Sequence, residues 1–223
     1  MLHMEEVLEL GNGKVTASAI AKWREGNPET TLTLTEIELE NADLVDADLQ
    51  NAHLSGANLR DVDLSSATLQ KANLIRSTLA GTCFEYARLQ GACLEGATMV
   101  RVVFRRANMQ GASLEECRTQ GSWLDHASLG GANMTSMSIT ECTFRFANLS
   151  NAEMIHCVLS DVDLRGADLT GTDLTGSILD HVKFDQPAAM MATCKGLETV
   201  RGLPPGMFAD AVAAGYKIPR TIK

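Results

Sequence analysis

A large apolar residue recurs at every fifth position from Leu34 to Phe184, with no insertion anywhere in the series. Of these 31 centres, 30 are apolar, and Thr119 is the single polar one. Two residues before each centre stands something small, as at Ala42, Ala47, Ala52, Ala57 and Val62. A period of five fits neither the 3.6 of a helix nor the 2.0 of a strand, so neither element organises the chain. It is satisfied if each pentapeptide makes a short straight edge followed by a corner. The centre and the small residue then point inward, and the other three face water. Ten of the 18 glycines fall two residues after a centre, among them Gly56, Gly81, Gly166 and Gly176, where a corner demands positive φ.

Ala42-Asp43-Leu44, Ala57-Asn58-Leu59 and Ala167-Asp168-Leu169 carry the unit in its plainest form. These residues resemble the pentapeptide-repeat family, whose motif is Ala-Asp/Asn-Leu followed by two variable residues, over Leu32 to about Gln186. The resemblance implies an all-β solenoid, a right-handed quadrilateral β-helix with four pentapeptides per coil and about eight coils. Four sides require a 20-residue period among the unusual residues. Phe84, Phe104, Phe144 and Phe184 differ by multiples of 20, which places them on one side. Gln50, Gln70, Gln90 and Gln110 form a second such column, where stacked amides are expected to bond along the axis.

A solenoid exposes its apolar axis at both ends, so caps are expected. Residues 1–31 read as an N-terminal cap with a helix near 15–24 that buries Ala19, Ile20 and Trp23 and stops at Gly26-Asn27-Pro28. Residues 32–186 form the β-helix, and 187–223 a C-terminal helical cap and tail. In the tail, Asp185-Gln186-Pro187 is expected to start a helix over Ala188 to Cys194, Leu197 to Leu203 to be extended or irregular, and Met207 to Ala214 to form a second helix closed by Gly215. Lys195, Arg201, Lys217, Arg220 and Lys223 against Glu198 and Asp210 give this tail a net charge of +3. Any dimer is expected to form through it; otherwise the chain is a monomer.

Signatures of catalysis are missing from the sequence. There is no phosphate-binding glycine loop, His-Glu-x-x-His, Cys-x-x-Cys or nucleophile elbow. His126, His156 and His181 fall on three different sides of the coil, so no catalytic, metal or cofactor site is expected. Cys117, Cys142 and Cys157 occupy the small inward slot and Cys83 and Cys93 face outward on different sides, which suits free thiols in a reducing cytoplasm. No apolar run reaches the roughly 18 residues of a membrane span. The net charge of −9 opposes direct binding to nucleic acid.

Sorting the outward residues by side separates the faces. On the side centred on Leu34 and Leu54, Glu36, Glu95, Glu115, Glu116, Glu153 and Asp173 stand against Arg76 alone, for a net of −5, and the next side, centred on Leu39, sums to −3. The Gln side is neutral. The Phe side carries Tyr86, Arg105, Arg106, Trp123, His126, Arg145, Phe146 and Arg165, the residue types that dominate interface hot spots. The expected function is therefore a non-catalytic rigid scaffold that binds a protein partner through this side. The resemblance supplies an alternative, since some family members modulate DNA gyrase by imitating duplex DNA, and the two acidic sides would serve that role. Thr119→Leu is expected to stabilise the core by adding buried apolar area.

Overall fold

In the computed structural model, which describes residues 2–11 and 14–219, the chain closes one coil every 20 residues. Parallel bridges join Thr33 to His53, His53 to Asn73, and so on in steps of 20 as far as Asp163 and Lys183. On one face the pairing lengthens into a five-stranded parallel sheet, β1 (Thr98–Val100), β2 (Arg118–Gln120), β3 (Ser138–Thr140), β4 (Val158–Ser160) and β5 (Ile178–Asp180), ordered as in the sequence. Each strand turns its centre inward, so Met99, Thr119, Ile139, Leu159 and Leu179 stack in register. Four such stacks fill the axis and give a β-solenoid of quadrilateral section.

The backbone bonding explains the repeat chemically. Around Leu64, the N–H of Asp63 donates back to Ala42 O (3.0 Å), Leu64 donates forward to Cys83 O (2.8 Å), Ser66 to Glu85 O (2.8 Å), and Ala67 closes the turn onto Leu64 O (3.1 Å). The fifth donor, Ser65 N, points out of the ladder and is accepted by Asp63 Oδ1 at 2.9 Å. The same cap recurs from Asn73 to Ile75, Asn148 to Ser150 and Asp168 to Thr170. The Asp or Asn of the motif therefore satisfies the one N–H that neighbouring coils cannot reach.

Every residue two after a centre, from Glu36 to His181, lies in the left-handed region: the ten glycines at φ +62° to +72°, and twenty other residues at +51° to +60°. A side chain there costs roughly 1–2 kcal/mol. The corner N–H bond to the next coil and the packed axis hold it there, so the fold tolerates Tyr86, Arg106, His126 and Phe146 at positions that favour Gly or Asn.

In the core, Phe84 and Phe104 stack at 5.0 Å with rings 5° apart, and Phe144 is buried on the same side. Two expectations fail inside the solenoid. Thr119 is not a polar misfit awaiting an aliphatic replacement. Its Oγ1 donates to Ser122 Oγ (2.9 Å) and lies 3.7 Å from Cys142 Sγ, and Ser122 Oγ accepts from Val102 N (3.1 Å). The glutamine column does not form an amide ladder either, because the Oε1 atoms of Gln70 and Gln90 are buried without a partner.

Both ends are capped by helical segments. The expected N-terminal helix is α2, Ala17–Gly26, preceded by an unanticipated α1, Leu2–Leu10. Thr16 caps α2 by accepting from Ala19 N, and Ala19, Ile20 and Trp23 are buried beneath it. Trp23 Nε1 donates to Glu6 Oε2 at 2.7 Å, tying the two helices together. Arg24 donates to the carbonyls of Thr30, Asp48 and Gln50, covering part of the first coil's open edge.

At the other end the tail departs from expectation in two ways. Asp185 is no helix cap: its Oδ1 accepts from Gly166 N (2.7 Å), and α3 covers only Ala188–Met191 behind Pro187. The next segment is irregular, as expected, and carries a 3₁₀ turn at Leu197–Thr199. Lys195 and Arg201 pair with Asp173 and Ile178, at offsets of 22 and 23 residues, so the tail continues the coil path irregularly. The second helix, α4, spans Met207–Ala213. Beyond it Tyr216 is buried, its hydroxyl accepting from Leu197 N (3.0 Å) and donating to Glu198. Arg220 and Lys223 of the basic tail lie outside the described residues.

Candidate partner-binding face

The corner column that starts at Asp46 and Ser66 continues through Tyr86, Arg106, His126 and Phe146 to Gly166. Successive members are one coil apart, so their side chains stand about 4.8 Å from each other along the edge. They stack in pairs. The Arg106 guanidinium lies 5.6 Å from the Tyr86 ring centre, and its Nη1 donates to Tyr86 Oη at 2.8 Å. The His126 and Phe146 rings are 5.2 Å apart and within 17° of parallel. Phe146 in turn covers Gly166. Tyr86 and Phe146 remain 51% and 54% exposed despite these contacts.

Beside this edge, on the flat of the same side, the half-buried Trp123 carries the Arg105 guanidinium 5.7 Å from its ring. Arg145 lies 5.8 Å from the Phe146 ring. Asp125, which the sequence did not single out, organises the flat: its Oδ2 accepts from Thr143 Oγ1 (2.9 Å), its Oδ1 accepts from Arg145 N (3.0 Å), and Arg105 Nε is 3.9 Å away. Its only sequence signal is its place between Arg105 and Arg145 in the same 20-step column. Seven of the eight candidates thus form one contiguous stripe. Arg165 is turned aside, making a bidentate pair with Asp163 at 2.6 and 2.9 Å. Those hydrogen bonds hold the Asp163 carboxyl below its ordinary range against the opposing effect of burial.

In the stripe, planar rings and guanidinium groups preorganised on one another present apolar area with donors at the rim. Among the described residues, no three His, Cys, Asp or Glu side chains are grouped to hold a metal ion. No helix among them is long and apolar enough to cross a membrane.

The solenoid, its 20-residue coil and its Asx-capped corners define a five-residue-repeat β-helix. A family model described as pentapeptide repeats matches the chain in eight copies, over residues 42–81, 57–96, 82–118, 120–154 and 157–186, and the chain belongs to that family. Among solved structures, the chain is similar to HetL, a pentapeptide repeat protein involved in heterocyst differentiation regulation from Nostoc sp. strain PCC 7120, at 22% identity over 81% of this chain and 92% of that one, with a TM-score of 0.35. It is similar to trypsin-treated QnrB1, a plasmid-mediated fluoroquinolone resistance protein, at 20% identity over 70% and 91% of the two chains, with a TM-score of 0.42. A pentapeptide repeat protein from the Arabidopsis thaliana thylakoid lumen shares 20% identity over 70% and 90%, with a TM-score of 0.30. No curated protein sequence gives a significant match.

Proposed function

We propose that the chain is a rigid, non-catalytic scaffold that binds a protein partner through the stripe of Tyr86, Arg106, His126 and Phe146 and the adjoining Trp123, Arg105 and Arg145. The observation that carries this reading is the continuity of the stripe. Exposed aromatic rings are scarce in a chain that is 4% aromatic, and here they gather on one side, each paired with an arginine or a second ring. Aromatic and arginine anchors supply most of the energy of protein interfaces. The test is capture from the native host with the purified chain as bait. Trp123→Ala combined with Arg145→Ala removes two anchors worth about 2 kcal/mol each, so it should weaken binding several hundredfold. Gln70→Ala with Gln90→Ala, on the neutral side, should leave it unchanged. Equal loss from both variants would mean general destabilisation and would sink the proposal.

The acidic sides support a second reading, a DNA-like surface for gyrase. Glu115 and Glu116 stand on one side, Glu141 and Asp161 on the next, while Arg101 and Arg118 interrupt the second of these. A supercoiling assay separates the readings: altered gyrase activity that disappears when Glu115 and Glu116 become Lys would favour the acidic sides over the stripe.

A further inference from the structure

Among the described residues, no earlier coil covers the edge of the first coil. On later coils the residue before each centre donates its N–H to a carbonyl 21 positions earlier, as Asn58 does to Ile37 and Asp63 to Ala42. For Glu38 and Asp43 the positions 21 earlier are Ala17 and Lys22, which lie in α2 and offer no strand. Arg24 covers the neighbouring stretch at Asp48 and Gln50, but it does not reach this one. Between the cap and this edge a cleft of about 790 Å³ opens, floored by Leu8, Val15, Ile37 and Leu39. Its rim carries Glu36, Glu38, Glu40 and Asp43 against Lys14, a net of −3.

The opposite end of the chain has the complementary chemistry. Tyr216 is pinned under the Leu197 turn, and the sequence runs on as Lys217-Ile218-Pro219-Arg220-Thr221-Ile222-Lys223, with net charge +3 and isoleucines four positions apart. Lys217, Ile218 and Pro219 project into solvent, and Ile218 is 55% exposed. A segment of this length reaches at most about 25 Å. The coils between Thr33 and Lys183, stacked at about 4.8 Å, hold the two ends on the order of 35 Å apart. Residues 217–223, anchored at Tyr216, therefore fall short of the cleft on their own chain.

We propose that the N-terminal cleft binds the 217–223 segment of a second copy of this chain. The segment adds to the open edge at Glu38–Asp43, with Ile218 directed to the apolar floor and the basic residues to the acidic rim. A strand added to an unpaired edge gains backbone hydrogen bonds, and the side chains on its alternate faces supply specificity. The contact joins the tail of one copy to the cleft of another, so association rises with concentration, as a reciprocal antiparallel pair or as a short linear oligomer. Seven residues bury less surface than a permanent interface requires, which makes the association weak and concentration-dependent.

The test is light scattering on the full chain across concentration and salt, followed by a charge swap. Wild-type protein should exceed the 24.0 kDa monomer mass at about 100 μM in low salt and return towards it as salt rises. Glu36→Lys with Glu40→Lys, and separately Lys217→Glu with Lys223→Glu, should each weaken association about tenfold or more while keeping the wild-type melting temperature. Mixing these two variants should restore association, because each then meets an opposite charge. A wild-type chain that stays monomeric, an assembly indifferent to both variants, or a mixture that stays monomeric would each overturn the proposal. Neither variant touches Trp123 or Arg145, so failure here leaves the partner-binding face standing.

Discussion

The ring of Phe146 lies against Gly166 on the next coil, so close that a Cβ built there would stand 2.4 Å from Phe146 Cδ1. Gly166 has φ +72° and therefore serves twice, as the corner and as the floor under the last ring of the stripe. Gly166→Ala should cost about 2 kcal/mol from the left-handed backbone and the displaced ring. In a chain of this size that is a drop of roughly 4–8 °C in Tm. The cost should fall when Phe146→Ala is added, and a double-mutant cycle on thermal unfolding measures the difference. Strictly additive losses would mean the ring does not bear on the glycine.

Thr119 should resist improvement. Its hydroxyl donates to Ser122 Oγ inside the sheet face, so both Thr119→Leu and the nearly isosteric Thr119→Val discard a buried hydrogen bond. Thr119→Val should lower stability by about 1 kcal/mol, and Thr119→Leu by more because the extra volume presses on Ser122 and Cys142. Chemical denaturation of the two variants checks this, and a higher midpoint for either would restore the simple apolar-filling argument.

What was legible in the sequence is what repeats. The inward centres, the small residues before them, the left-handed corners and the 20-residue coil are each stated many times over, so one anomalous residue cannot obscure them. Contacts made once are different. The Thr119–Ser122–Cys142 cluster joins side chains whose polarity looks like a defect until their distances are known. The expected glutamine ladder failed because the arithmetic of columns places Gln70 and Gln90 in line without saying how their amides turn. At the candidate face the same arithmetic aligned Tyr86, Arg106, His126 and Phe146. It could not show that Arg165 is committed to Asp163, or that Asp125 anchors the flat beside the stripe.

The motif carboxylates and amides should matter as acceptors, not as charges. Asp168 Oδ1 accepts from Thr170 N at 2.9 Å. Asp168→Asn keeps that acceptor and should be close to neutral, whereas Asp168→Ala strands the N–H and should cost about 1 kcal/mol. Equal destabilisation by both substitutions, measured in urea, would point to charge instead.

Thiol reactivity should divide the six cysteines by depth. Burial pushes the Cys117, Cys157 and Cys194 thiols up to about 12 and raises Cys142 as well, so none of the four ionises near neutral pH. Cys83 and Cys93 are only partly buried. A disulfide reagent at pH 8 should therefore titrate at most two thiols in the native protein and six after unfolding. Rapid native labelling of four or more would contradict the packed axis.

Acid should weaken the last coils through Asp163. The Arg165 side chain holds this carboxyl below its ordinary value of 3.8, so its folded pKa is depressed. The pair's contribution to stability is then fully present above about pH 4 and is lost as pH falls through the folded pKa, where Asp163 takes up a proton and releases the guanidinium. Arg165→Gln should move the Asp163 pKa back towards 3.8 and make unfolding begin at higher pH. Asp163→Asn should remove this site's share of the acid sensitivity while keeping an acceptor for Arg165 N, which now donates to Asp163 Oδ1 at 3.1 Å. Melting temperatures between pH 2 and pH 6 decide it: wild type and Asp163→Asn should diverge above pH 4 and converge below, and parallel curves would mean that the pair contributes nothing to the acid limb.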